Sequence, residues 1–296
     1  MIDFVRIFYK DKFKLEESIM TDSRVNEVNC VFDYKSDELK YPYKSKIENV
    51  EINITNNLGF VYGSLHKFYN SWKTGEEQNY NDFTYSNLIE VIDYLSLRIV
   101  DFDIIALTQL EVGLNLDLEI SPKEFLEKNV HFHSFKGFNR DINYSGGGKM
   151  FQFDYTQFYI KIYDKGKMYK QKKNILRFEL KLFRKSMFQE LGVYNISDLR
   201  DKNKLRKLFI LLTKRFDEML IIDDYSEKNI DKKDLILLNK YTNPRFWNNE
   251  IKNKTRTTKA NHVRKLNQLL EKYDLTNLKS SLKLQLLQKY LQFINN

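Results

Sequence analysis

Leu110–Leu118 reads LEVGLNLDL, with Leu110, Val112, Leu114, Leu116 and Leu118 at even positions and Glu111, Gly113, Asn115 and Asp117 between them. Side chains alternate faces along a strand with a period of two, so this spelling predicts a β-strand with one aliphatic and one polar face. Two later stretches repeat the pattern. Phe158, Ile160 and Ile162 alternate with a polar series running Tyr155, Gln157, Tyr159, Lys161, Tyr163 and Lys165, and Leu176, Phe178, Leu180 and Leu182 alternate with Arg177, Glu179 and Lys181. A sheet built from three such strands buries its aliphatic side and displays tyrosines, cations and carboxylates on the other.

Around these strands the period changes. Asn87–Ile99 places Leu88, Val91, Ile92, Leu95 and Ile99 on one helical face behind a Ser86-Asn87 cap. Ser121-Pro122-Lys123-Glu124 has the cap, the first-turn proline and the third-position acid of a helix that ends near Asn129. Val130–Phe135 reads as a further strand, and Val50–Ile54 as another. Gly146-Gly147-Gly148 lacks the following helix and Lys-Ser/Thr of a phosphate loop, so it predicts a hairpin loop before a strand over Phe151–Asp164. From Ser197 to Ile222, and again over Asn261–Tyr273 and Leu275–Ile294, caps and apolar stripes have helical spacing. The expected organisation is an α+β domain over residues 1–185 and a helical, basic region over 186–296.

Composition narrows the function. A single cysteine, Cys30, excludes an intramolecular disulfide and a cysteine-built zinc site, and fits a reducing cytoplasm. Charges run through the first residues and no stretch approaches the ~20 apolar residues of a membrane span, so neither export nor a membrane partner is expected. The net charge is +9, and Ile251–Asn296 holds ten cations against Glu271 and Asp274, a net +8. Such a segment favours a polyanion, because each neutralised phosphate releases counterions. Arg256, Arg264 and Lys265 are the candidate phosphate contacts there. The competing reading is that these lysines and arginines only solvate helix faces.

Two sets of residues could do chemistry. His131 and His133 stand two apart on one strand face, a pair able to bind a divalent ion if Glu111 or Glu179 completes the site. The alternative is a pair of half-exposed histidines. On the other set, Tyr159, Lys161, Tyr163 and Lys165 share a strand face. A phenol of pKa near ~10 is a weak nucleophile until a cation stabilises its developing charge, and the alternating lysines supply one. The same face could instead only stack on and neutralise a nucleic acid strand.

Ordered blocks carry a resemblance. They are Val61–Phe68 (VYGSLHKF), Asn79–Phe83 (NYNDF), Leu110–Asn115 (LEVGLN), Lys161–Gly166 (KIYDKG) and Leu176–Lys181 (LRFELK), with a looser block at Asn243–Trp247. In that order they resemble the gene II protein family of filamentous phages and its relatives in small plasmids and phages, and are similar to plasmid Rep_trans initiators. The resemblance implies a central antiparallel sheet with flanking helices, as in nicking endonucleases, and an enzyme that starts rolling-circle replication. In that chemistry a tyrosine attacks a phosphodiester, becomes joined to the 5′-phosphate and frees a 3′-hydroxyl, with Mg²⁺ or Mn²⁺ assisting. The block position implies Tyr163 as nucleophile; Tyr159, on the same strand face, is the candidate second nucleophile for strand closure, with Lys161 and Lys165 beside them. It implies Glu111, His133, His131 and Glu179 as metal ligands, and Lys67, Arg177 and Lys181 as DNA contacts. Expected partners are single-stranded or hairpin origin DNA and a host helicase and polymerase, in the cytoplasm of a bacterial host. His66 belongs to a block of unassigned role. The rival readings are a non-enzymatic DNA-binding protein derived from such an initiator, and a nuclease that uses water in place of tyrosine.

Overall fold

The computed structural model describes residues 1–21, 27–144 and 146–296. Its first elements are β1 (Ile2–Tyr9), α1 (Lys12–Thr21), β2 (Val28–Asp33), β3 (Glu38–Ile47), β4 (Val50–Ile54), β5 (Gly59–Ser64), α2 (Leu65–Thr74) and α3 (Tyr85–Ser96). Then come β6 (Leu107–Asp117), α4 (Pro122–Asn129), β7 (Val130–His133), β8 (Arg140–Tyr144), β9 (Gly148–Asp154), β10 (Phe158–Asp164), α5 (Lys165–Met168) and β11 (Ile175–Leu182). The remainder is helical apart from one short strand: α6 (Ser186–Gln189), α7 (Lys202–Asp217), β12 (Met219–Ile221), α8 (Lys232–Thr242), α9 (Arg256–Lys272) and α10 (Asn277–Asn295).

The fold is α+β. Ten strands form an antiparallel sheet in the order β2-β3-β4-β5-β1-β6-β11-β10-β9-β8, flanked by helices and followed by the helical C-terminal region. The chain divides into two compact units, and both take residues from either side of position 185. The first comprises Met1–Gly113, Leu180–Leu211 and Tyr290–Asn296; the second comprises Leu114–Glu179 and Leu212–Lys289.

In the first unit, β1 is the inner strand and pairs with β5 through Val5↔Gly63 and Ile7↔Val61. Its alternating Val5, Ile7 and Tyr9 are buried, as are Ile2, Val61, Leu65, Phe68, Leu88, Ile92 and Leu95. Helix α2 starts where Ser64 Oγ accepts the Lys67 N–H at 3.1 Å, and stops where Gly75, at φ 74°, donates to Ser71 O. Helix α3 begins two residues earlier than its sequence suggests. Thr84, not Ser86, is the cap, because Thr84 and Asn87 satisfy each other's backbone in a capping box.

In the second unit, α4 forms as its spelling predicts, with Ser121 Oγ accepting the Glu124 N–H and Pro122 in the first turn. Strand β7 departs from expectation. It ends at His133 and pairs with β12 in a separate two-stranded sheet. The expected helix over 197–222 is accordingly split: after a 3₁₀ turn at Ser197–Arg200, α7 runs to Asp217 and Met219–Ile221 becomes β12. β-Branched and long apolar residues there fill a ladder that a helix cannot. The expected single strand over Phe151–Asp164 is a hairpin, β9 and β10, paired through Ile160↔Phe153 and Ile162↔Phe151. Tyr155 and Gln157 therefore lie outside β10, at the turn. Helices α8 and α9 close a core of Phe132, Ile222, Leu238, Tyr241, Trp247, Leu266 and Leu270. Deleting Ile251–Asn296 will therefore unfold the second unit, so charge substitutions are the cleaner probe of that segment.

Candidate active site around Tyr163

The polar faces of β10 and β11 are enclosed at Tyr163, Arg177 and Glu179 and half-exposed at Tyr159, Lys161 and Lys181. On β11, Arg177 is 3% and Glu179 2% exposed, and on β10 Tyr163 is 5% exposed. Buried ionic groups are tolerated only when paired and hydrogen-bonded, and these are. Glu179 Oε2 accepts from Arg177 Nε at 2.8 Å and from the Tyr163 hydroxyl at 3.3 Å, while Oε1 accepts from Lys161 Nζ at 3.0 Å. Arg177 also donates to Asn115 Oδ1 on β6 at 2.9 Å. Lys165 Nζ donates to the Tyr163 oxygen at 3.3 Å.

Burial alone would push the Glu179 carboxyl up. The charges of Lys161, Arg177 and Lys165 together outweigh that and hold it well below the usual carboxylate range. The Tyr163 hydroxyl thus sits between an ammonium and a permanent carboxylate. Lys165 donates to the hydroxyl oxygen, and the carboxylate receives the hydroxyl hydrogen.

Lys165 reaches this position by a change of element. The strand stops at Asp164, whose side chain accepts the Lys167 N–H at 2.8 Å and caps the four-residue α5. Lys165 opens that turn with its ammonium folded back over Tyr163, whose ring centroid is 5.3 Å away. Sequence alternation placed Lys165 on the strand; the Asp164 cap was the signal that it is not. Tyr159 is half-buried and shares the β10 face with Lys161 and Tyr163.

Glu111, in the first unit, is buried and pairs with Lys181 Nζ at 2.8 Å. Lys67 Nζ is 3.1 Å from Glu77 in the same unit. In the second unit, His133 is 1% exposed, with Nδ1 against the Tyr155 hydroxyl and Nε2 3.2 Å from Glu218 but out of hydrogen-bond alignment. Arg215 holds Glu218 through two contacts of 2.8 and 3.0 Å. His131 Nε2 is buried with no hydrogen-bond partner among the described residues. Arg256, Arg264 and Lys265 are exposed along α9.

Among the described residues no three histidines, cysteines or acids gather as a metal-binding group. Glu111, His131, His133 and Glu179 do not fit one donor set: Glu179 and Glu111 each accept from cations, and His133 is engaged by Tyr155 and Glu218.

No protein-family model and no curated protein matches this chain. Among solved structures it is similar to one described as a rolling circle replication initiator protein from Geobacillus stearothermophilus. The identity is 13%, over 78% of this chain and 88% of that one, with a TM-score of 0.43. So distant a likeness carries no function.

His66 has a structural explanation. It is buried, stacks on Phe83 at 4.7 Å and meets Asn81 Oδ1 at 2.7 Å, while Asn70 and Asn81 bond each other. The VYGSLHKF and NYNDF blocks therefore hold each other together in the first unit.

Burial pushes His131 down to about 4 and also lowers His133. A histidine depressed in the fold binds its proton more readily when unfolded, so stability falls as pH drops from about 6.5 towards 4. His131 alone accounts for up to about 3 kcal/mol of that loss. Urea unfolding at pH 7 and pH 4.5 will show it, and His131→Gln will flatten the slope.

Proposed function

We propose that this chain is a DNA-nicking and joining enzyme of the replication-initiator type, with Tyr163 as nucleophile and single-stranded or hairpin DNA as substrate. The observation that carries the proposal is the Tyr163 hydroxyl held between Lys165 Nζ and the Glu179 carboxylate. In the reaction the Tyr163 oxygen bonds to phosphorus as the P–O3′ bond breaks. The phenolic proton leaves along the bond to Glu179, and the departing 3′-oxygen takes a proton from water and becomes the 3′-hydroxyl. Glu179, held far down, does not retain that proton but passes it to solvent, where it neutralises the hydroxide left when water protonates the 3′-oxygen. Lys165, with Lys161 beyond it, stabilises the negative charge that builds on the phenol. Because Tyr163 is 5% exposed, local opening must accompany DNA binding. The Mg²⁺ or Mn²⁺ requirement that the resemblance implies is a separate arm of the test.

That same burial favours a second reading, a DNA-binding protein in which the array is only a buried ionic bridge. Incubating the protein with a labelled pool of single-stranded oligonucleotides, with Mn²⁺ or with a chelator, separates the two. The expected result is a denaturant-resistant adduct mapped by mass spectrometry to Tyr163 and absent in Tyr163→Phe, with DNA binding retained. An adduct on Tyr159 would move the nucleophile; no adduct under either condition would leave the binding protein. Lys165→Met should slow adduct formation about 10²-fold, the usual loss when one charge-stabilising donor is removed.

The exposed cations of α9 supply affinity in this reading. Replacing Arg256, Arg264 and Lys265 together by Gln should reduce the slope of log affinity against log salt by about 2 on single strands. An unchanged slope would make them surface solvation only.

A further inference from the structure

We propose that the turn at Ser134-Phe135, with Phe138 and the cationic run from Lys252 to Lys265, is a stacking surface for single-stranded DNA. This rests on the reading of the chain as a protein that acts on DNA, and names where in the second unit an unpaired strand lies. His133 and Lys136 exchange backbone hydrogen bonds across the turn, so Ser134 and Phe135 are its two central residues. Both have positive φ, 46° and 65°. Turns of this kind ordinarily take Asn-Gly, and a bulky aromatic at positive φ is strained. Phe135 packs on Phe132 and Trp247 yet keeps 37% of its surface exposed, and Phe138 is 40% exposed.

Both rings are backed by other aromatics, which fixes their orientation. Phe135 lies 4.4 Å from Trp247, and Phe138 stacks on Phe151 at 4.2 Å and 11°. Asn248 Nδ2 donates to Phe135 O at 3.0 Å and ties the turn to the segment that carries the charge. From Ile251 to Lys265 that segment holds six cations and no acid, and Lys252, Lys254 and Arg256 are exposed. Rigid exposed rings beside an unopposed positive run match what an unpaired strand offers, bases to stack and phosphates to neutralise. A duplex keeps its bases stacked inside and has no use for the rings.

The test uses the full chain and a fluorescent oligo-dT, with a second oligo-dT carrying 5-iododeoxyuridine for photocrosslinking. Crosslinks should map to the peptide containing Phe135 or Phe138. Phe135→Ala and Phe138→Ala should each weaken binding about tenfold with the salt slope unchanged, because stacking releases no counterions. Phe135→Asn, which suits positive φ, should bind as weakly as Phe135→Ala while melting no lower than the wild type, a combination that a purely structural ring would not give. Crosslinks confined to other peptides, or unaltered affinity in a folded Phe135→Asn, would overturn the assignment. A wild type that binds oligo-dT and crosslinks elsewhere loses only this surface, whereas one that binds no DNA at all loses the nicking reading too.

Discussion

Arg177→Ala will cost the fold about 3–5 kcal/mol, measured as a drop in urea midpoint at pH 7. The guanidinium makes the shortest contact to Glu179, a carboxylate 2% exposed, and also reaches Asn115. Removing it leaves a buried anion short of a partner and takes one donor from the Asn115 amide oxygen. Lys161 and Tyr163 still hold the carboxylate, so the loss is partial compensation and not a bare charge. The companion experiment is Arg177→Met with Glu179→Leu. If the loss comes from stranding a charge, the double variant will be markedly more stable than Arg177→Ala. Equal losses in both would mean that packing, not charge pairing, sets the cost.

Gly166→Ala will be nearly as damaging although it adds one methyl group. A Cβ there would stand 2.3 Å from Lys173 O and 3.3 Å from Ile175 N. Both are backbone atoms, so no side-chain rotation relieves the clash and the chain entering β11 must move. The expected cost is about 3 kcal/mol or more, at or beyond the top of the usual range for overpacking. The larger effect is on chemistry. Gly166 follows Lys165, and a shift of ~1 Å in a reacting group can cost about 10²-fold in rate. Adduct formation should therefore fall about 10²-fold even at temperatures where the variant is folded. A folded Gly166→Ala with wild-type adduct yield would show that Lys165 does not need its present position.

The period-two spelling of β6, β10 and β11 was enough to find the sheet and to place Tyr163, Lys161, Arg177 and Glu179 together on one face of it. Alternation says which side chains share a face. It is silent on what covers that face, so residues read as displayed are buried. Lys165 was grouped correctly but for an incomplete reason: a four-residue helix, not strand continuity, returns its ammonium to Tyr163. His131 and His133 could not be placed from local pattern, because β7 pairs with β12 almost ninety residues further on. Glu218 and Arg215, which surround His133, sit in what reads as one continuous amphipathic helix. The strained Ser134-Phe135 turn was equally hidden, since neither residue advertises positive φ.

The interleaving of the two units bears on how the protein comes to exist. A ribosome emits residues in order, yet the first unit stays incomplete through the synthesis of all of Leu114–Glu179, and still awaits Tyr290–Asn296 after Leu180–Leu211 has emerged. Met1–Gly113 must meanwhile keep its aliphatic β1 and β5 from pairing with neighbouring nascent chains. The second unit likewise begins before the first is finished and resumes at Leu212. Neither half can be expressed as a simple N- or C-terminal fragment, and recombinant yield will depend on chaperones that hold the early strands until the late helices arrive.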